Sequence, residues 1–152
     1  GVDVAALRAA RSLSVPTGGI MPKSWRTLDG PHPEYRELYG MTESPFAGYE
    51  RRTFANAGSA HATLRIAADW NSAGERCTLR AVHAAGQSPF DVGLDHSLCV
   101  QPARIKAALA GLRSKGPGLI LNVAGNSEST APGIEFQAEA ILRDMFARLL
   151  LT

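Results

Sequence analysis

The run Leu119-Ile120-Leu121-Asn122-Val123 constrains the fold most. It follows the helix-breaking Gly116-Pro117-Gly118 and leads into the small, polar Ala124-Gly125-Asn126-Ser127-Glu128-Ser129. A continuous apolar run bounded by turn residues predicts a strand covered on both faces of a parallel sheet, because a strand with one wet face alternates apolar and polar residues instead. Parallel strands cannot be joined by tight hairpins, so the rest of the chain must supply crossover helices.

It does. Ala6, Leu7, Ala10 and Leu13 share one face of a helix predicted over Asp3 to Leu13. From Thr17 to Ser44 the chain is rich in Gly and Pro and reads as a long loop holding one short strand. Ser44-Pro45 has the form of an N-cap with Pro at the first helical position, opening a helix through about Ala55. A buried strand follows from Ala62 to Ala68, a helix from Ser72 to Ala85 ended by Gly86, and a strand from Pro89 to Leu94. Pro102 opens a helix with Ile105, Leu109 and Leu112 on one face, and a last helix from about Gly133 carries Ile134, Ala138, Ile141, Leu142, Met145, Phe146 and Leu149 in one stripe. This alternation predicts a Rossmann-like, doubly wound α/β fold, with a mostly parallel sheet and helices on both faces. With 152 residues, 45% of them hydrophobic, the chain fits a single domain over 1–152.

Charge excludes several classes of partner. Sixteen Lys and Arg stand against fourteen Asp and Glu, with no run of like charge, so no nucleic acid is expected. Charges interrupt every apolar stretch before the roughly 20 residues that a membrane helix needs, and the first residues lack a basic segment followed by an apolar one. The expectation is a cytoplasmic protein with no membrane partner. Cys77 and Cys99 lack CxxC or zinc spacing and read as inert, partly buried thiols. His32, His61, His83 and His96 are scattered, and no nucleophile-elbow, zincin, Walker A or GxGxxG pattern occurs, so no catalytic residue and no metal ligand is assigned.

Ligands of parallel sheets bind where strands turn into helices and free N–H groups face outward. Three segments fit that role: Asn122 to Ser129, Asp69 to Arg76, and Arg51-Arg52-Thr53 with Asn56, where Arg52 and Asn56 stand four apart and share one helix face. Gly18-Gly19 with Lys23 could bring an ammonium to an anion, although Lys23 alone reads as solvent-facing. On composition, the Asn122 to Ser129 loop is equally a polar connection whose side chains make turn hydrogen bonds.

The order of short motifs resembles the molybdenum cofactor carrier family, relatives of the lysine-decarboxylase-like (LOG-type) Rossmann proteins, over nearly the whole chain. Gly1-Val2-Asp3 is similar to the end of that family's Ser-Gly-Gly-Gln-Thr-Gly-Val-Asp stretch. Gly18-Gly19, Pro22-Lys23, Asp29-Gly30-Pro31 and Glu43-Ser44 follow in order, as does the set Tyr49, Arg52, Thr53, Asn56. Leu121-Asn122-Val123-Ala124-Gly125, Glu128-Ser129 and Ala131-Pro132-Gly133-Ile134 resemble its most specific segment, with Asn126-Ser127 where Pro-Arg is usual. Ala73-Gly74-Glu75 stands where the family has Gly-Gly-Thr, and Ser59-Ala60-His61 where it has Asp-Ser-Asp.

The resemblance implies a carrier that holds the molybdenum cofactor, a phosphorylated molybdopterin, or a related phosphate-bearing small molecule, for delivery to molybdoenzyme acceptors. It also implies a homodimer or homotetramer. The binding residues it implies are Gly1, Asp3, Lys23, Arg52, Thr53, Asn56, Ser72, Gly74, Thr78, Asn122, Gly125, Ser127, Glu128 and Ser129. A LOG-like hydrolase of nucleoside monophosphates is the alternative, but its Pro-Gly-Gly-x-Gly-Thr-x-x-Glu turn is replaced here by Ser72 to Thr78. A non-catalytic nucleotide-sensing module is a third reading. A doubly wound sheet normally opens on a strand, whereas Gly1-Val2-Asp3 matches the start of the first helix. A strand and Gly-rich turn ahead of Gly1, lining the pocket, are therefore expected.

Overall fold

In the computed structural model, which describes residues 1–151, the central strand β5 (Ala62–Ala67) is buried along its whole length. Its side chains divide by parity, as a pleated strand requires. Ala62, Leu64 and Ile66 enter the main core beneath α1 (Val2–Ser12), α5 (Pro102–Arg113) and α6 (Ile134–Leu150). Thr63 and Arg65 turn to the opposite face, which α3 (Tyr49–Ser59) and α4 (Ala73–Ala84) cover. Helices therefore lie on both faces, and the α/β reading holds.

The strands form two main groups. β6 (Phe90–Gly93), β5 and β7 (Leu121–Gly125) make a three-stranded parallel sheet in the order β6-β5-β7. β1 (Gly19–Met21) and β4 (Met41–Glu43) make a separate parallel pair. The small antiparallel pair β2 (Arg26–Thr27) and β3 (Gly30–Pro31) is an outlying turn.

Three expectations change. Thr17 to Ser44 is not one long loop: it holds β1 to β4, a 3-10 turn over Lys23–Trp25 and the short α2 (Tyr35–Tyr39). Met21, Trp25, Tyr35, Tyr39 and Met41 form a second core against Val4 and Leu7 of α1. Aromatic clustering, which helical periodicity does not detect, holds this stretch together. The helix expected from Ser44 starts at Tyr49 instead. Ser44 extends the β4 ladder, its N–H donating to the Met21 carbonyl at 2.8 Å, while its Oγ accepts from the Phe46 N–H. Gly48 supplies the extended N-cap. The Leu119 to Val123 strand is displaced to 121–125 and is half-buried at every position, not covered on both faces. It stands at an edge: β5 pairs it on one side, and no described strand pairs it on the other.

Candidate ligand-binding cleft

Between the free side of β7 and the β1–β4 pair lies a cleft of about 1780 Å³. Helix α1 borders one side, and α3 with the start of α4 borders the other. Of the expected binding residues, Gly1, Asp3, Arg52, Thr53, Asn56, Ser72, Gly74, Thr78, Asn122, Gly125, Ser127 and Glu128 line it. Lys23 and Ser129 do not. Lys23 sits exposed on the 3-10 turn, its N–H bonded to the Phe46 carbonyl, and Ser129 is exposed with its hydroxyl on Ser127.

Lining the cleft does not leave a side chain free. The Asn56 carboxamide is taken up by β1, its Oδ1 accepting from the Ile20 N–H at 2.9 Å and its Nδ2 donating to the Ile20 carbonyl at 3.2 Å. Thr53 donates back to the Tyr49 carbonyl within its own helix, and Asn122 Nδ2 donates to Thr63 Oγ1. Glu128 accepts from the N–H groups of Gly133 and Glu135, so this carboxylate already fills the anion site at the start of α6. Gly125 is needed for packing: a Cβ there would lie 2.0 Å from the Ile66 carbonyl oxygen and 2.7 Å from a Val2 methyl.

Binding capacity is concentrated elsewhere. Arg52 stacks 5.4 Å from the Tyr49 ring centroid and reaches Asp3 at only 3.4 Å, and its Nε is buried with no partner. In the same cleft, Ser72 caps α4 by accepting from the Glu75 N–H, which leaves the N–H groups of Ala73 and Gly74 with no intrahelical acceptor. Space is open around Gly74, and nothing lies within 4 Å of where its Cβ would be. Arg52 and the α4 terminus are the natural anion donors of the cleft.

Two organising groups carry no sign of that role in the sequence. Asn126 is buried and ties the end of β7 to the β5–α4 loop: its Oδ1 accepts from the N–H groups of Ala68 and Asp69 at 2.9 Å each, and its Nδ2 donates to the Asp69 carbonyl. Arg65, on a strand that reads as apolar, makes a two-pronged bond to Asp91 at 2.8 and 2.6 Å under the Trp70 ring. Its other side reaches Glu75 at 3.5 Å. Burial pushes the Glu75 carboxyl up to about 7 against the opposing pull of Arg65, and Asp3, Asp91 and Asp69 add to the rise. Glu75 is thus turned to Arg65, and a second, smaller hollow of about 350 Å³ lies beside this network.

The thiols differ from expectation, since Cys99 is exposed and only Cys77 is partly buried. No helix among the described residues is long and apolar enough to cross a membrane.

The model of the circularly permutated YpsA SLOG family matches residues 1–146. A crystal structure of a "Putative molybdenum carrier protein" from Syntrophus aciditrophicus SB superposes with a TM-score of 0.73 at 27% identity, covering 95% of this chain and 87% of that one. A curated relative, one of the 5-oxoprolinase subunits of Bradyrhizobium diazoefficiens, is 28% identical over 145 residues, 88% of this chain. The chain spans about half of that relative's length, 53%.

Proposed function

Because this chain belongs to the circularly permuted YpsA SLOG family, we propose that it is a carrier, not a catalyst, holding the molybdenum cofactor at the mouth of the cleft. The observation that carries this reading is Arg52: a guanidinium whose Nε lacks a partner, lining the same cleft as a helix start with unused N–H groups. A phosphorylated pterin with an oxo-molybdenum dithiolene is a large anion, and such donors suit it. Arg52 with the N–H groups of Ala73 and Gly74 would hold the phosphate, whereas the Ser127 hydroxyl is engaged by Ser129 and Thr130. The name of the Syntrophus structure supports the choice of cargo.

The reading includes a cytoplasmic homo-oligomer that hands the cofactor to molybdoenzyme acceptors. The LOG-like hydrolase is the weaker reading, because Glu75 does not line the cleft and borders the smaller hollow instead. Glu75, the carboxyl at the turn where such an enzyme needs its motif, is committed to Arg65. Protein produced in a cofactor-synthesising host should retain the pterin and reconstitute a cofactor-free acceptor enzyme. Failure to do either overturns the carrier reading. Release of adenine from AMP would replace it with the hydrolase.

A further inference from the structure

The smaller hollow beside Arg65 shares no lining residue with the cleft. The first turns of α4 divide the two: Ser72, Gly74, Cys77 and Thr78 face the cleft, whereas Glu75, Arg76 and Leu79 face the hollow. On the sheet side the hollow is lined by Asp91 and Gly93 of β6. Side chains alternate along a strand, so the side-chain position of Gly93 lies on the same face as Asp91. Arg104 of α5 and Trp70 of the β5–α4 loop complete the wall. β6 is an outer strand here, paired by β5 on one side and by no described strand on the other.

The hollow holds a surplus of hydrogen-bond donors. A guanidinium and an indole N–H donate and accept nothing. The Arg104 guanidinium and the Trp70 indole N–H meet no acceptor among the described residues, and Arg76 has only the Asn71 carbonyl. The two acids do not balance them. Asp91 is taken up by its two-pronged bond to Arg65, and Glu75 is buried and turned to the same guanidinium. The Leu94 N–H donates to the Ala67 carbonyl of β5, so by the alternation of a parallel ladder the Gly93 N–H points to the unpaired side of β6. Gly93 is also where the side-chain donors converge. A Cβ there would lie 3.6 Å from Arg104 Nη1 and 3.6 Å from Trp70 Nε1, so one atom can touch both. The φ of Gly93 is not positive. Glycine therefore supplies space at this position, not a backbone conformation that other residues avoid.

We propose that this hollow is a second binding site, for the oxyanion of a small molecule, a phosphate or a carboxylate, gripped between the Arg104 guanidinium and the Trp70 indole N–H at Gly93. Charge selects the sign of the ligand. Three guanidiniums line the hollow against two acids, one of them neutralised by Arg65 and the other held largely protonated below pH 7 by burial. Hydrogen bonds from a guanidinium to an oxyanion are roughly twice as strong as neutral ones. The seat is also held in shape before a ligand arrives: the Arg65 guanidinium, fixed by Asp91, stacks 4.8 Å from the Trp70 ring centroid. A volume of about 350 Å³ stands at the small end of ligand pockets. No residue of the carrier reading takes part, so the two proposals stand or fall separately.

The chain has two tryptophans, so the Trp70 indole N–H gives one of two indole resonances in heteronuclear NMR, assigned by its loss in Trp70→Phe. Sodium phosphate and sodium succinate are titrated in separate arms, with sodium chloride at matched ionic strength as control. The Trp70 resonance should shift saturably in at least one arm, and the arm that saturates names the oxyanion. Arg104→Ala removes one donor, and Gly93→Ala puts a methyl into the seat at ordinary contact distance. Each should raise the half-saturating concentration about tenfold or more. Arg104 is exposed and the Gly93 methyl meets no clash, so both variants keep the fold. Arg52→Ala, in the cleft, should leave the titration unchanged. Absent or unsaturable shifts in both arms overturn the proposal, as does an equal shift with chloride. So does a titration that Arg104→Ala leaves unaltered, or one that Arg52→Ala abolishes, which would assign the shift to the cleft.

Discussion

Arg52 and Glu75 show how differently single residues declare themselves. Arg52 was legible because a basic residue four positions before Asn56 must share its helix face, and both do line the cleft. Replacing Arg52 by Ala should weaken cofactor retention about tenfold or more, since a charge-assisted bond contributes on the order of 1.5–3 kcal/mol. Folding should change little, because the contact with half-exposed Asp3 is long. Equal retention by the variant in a reconstitution assay would remove Arg52 from the site. Lys23, which alone reads as solvent-facing and which only the resemblance added to the site, is exposed and stands outside the cleft.

Glu75 was illegible because its character comes from burial against Arg65 on the preceding strand. Its carboxyl titrates at about 7, above the ordinary 4.5, so the folded state binds the extra proton between those values. Stability should therefore fall as pH rises from about 4.5 to 7 and level off above it. Glu75→Gln removes this penalty, so its advantage over the parent chain should grow across that window, reaching up to about 3 kcal/mol. Urea unfolding at several pH values would check this, and parallel curves for the two proteins would refute it.

At the scale of elements, the sequence placed α1, β5, α4, β6, α5 and α6 to within about two residues, because each carries a clear period or a strong stop such as Gly86 or Pro102. It misjudged Thr17 to Ser44, where the segments are too short for any period to register and cross-chain aromatic packing decides the structure. The β7 loop was found, but not its division of labour. Glu128, expected to touch ligand, caps α6, while Asn126, read as part of the candidate binding segment and as a departure from Pro-Arg, fastens two loops. Asn126→Ala removes the partner of the half-buried Ala68 and Asp69 N–H groups and of the Asp69 carbonyl and should cost about 1–3 kcal/mol, read by denaturant midpoint. It should also loosen the α4 start and so weaken anion binding. A variant with unchanged stability would show that water replaces the carboxamide without loss.

The whole molecule was legible as α/β and doubly wound, but not as two strand groups held apart. That division follows from pairings of particular residues, and no local pattern encodes it. It has an energetic consequence. Leu64, Ile66 and Val92 share one large core with α1, α5 and α6, whereas β1 and β4 rest on the smaller cluster around Met21, Tyr35 and Tyr39. The β1–β4 part is joined to the rest through α1 and the Asn56 bonds to Ile20. Segments with less buried apolar area open at lower free energy. Native-state hydrogen exchange should therefore separate two classes: the amides linking β1 and β4 exchanging through a sub-global opening, and those of Leu64 and Ile66 only through global unfolding. Asn56→Ala should lower the first class by about 1–2 kcal/mol, the cost of exposing the Ile20 groups, and leave the second nearly unchanged. A single exchange class would mean that α1 alone couples the halves fully.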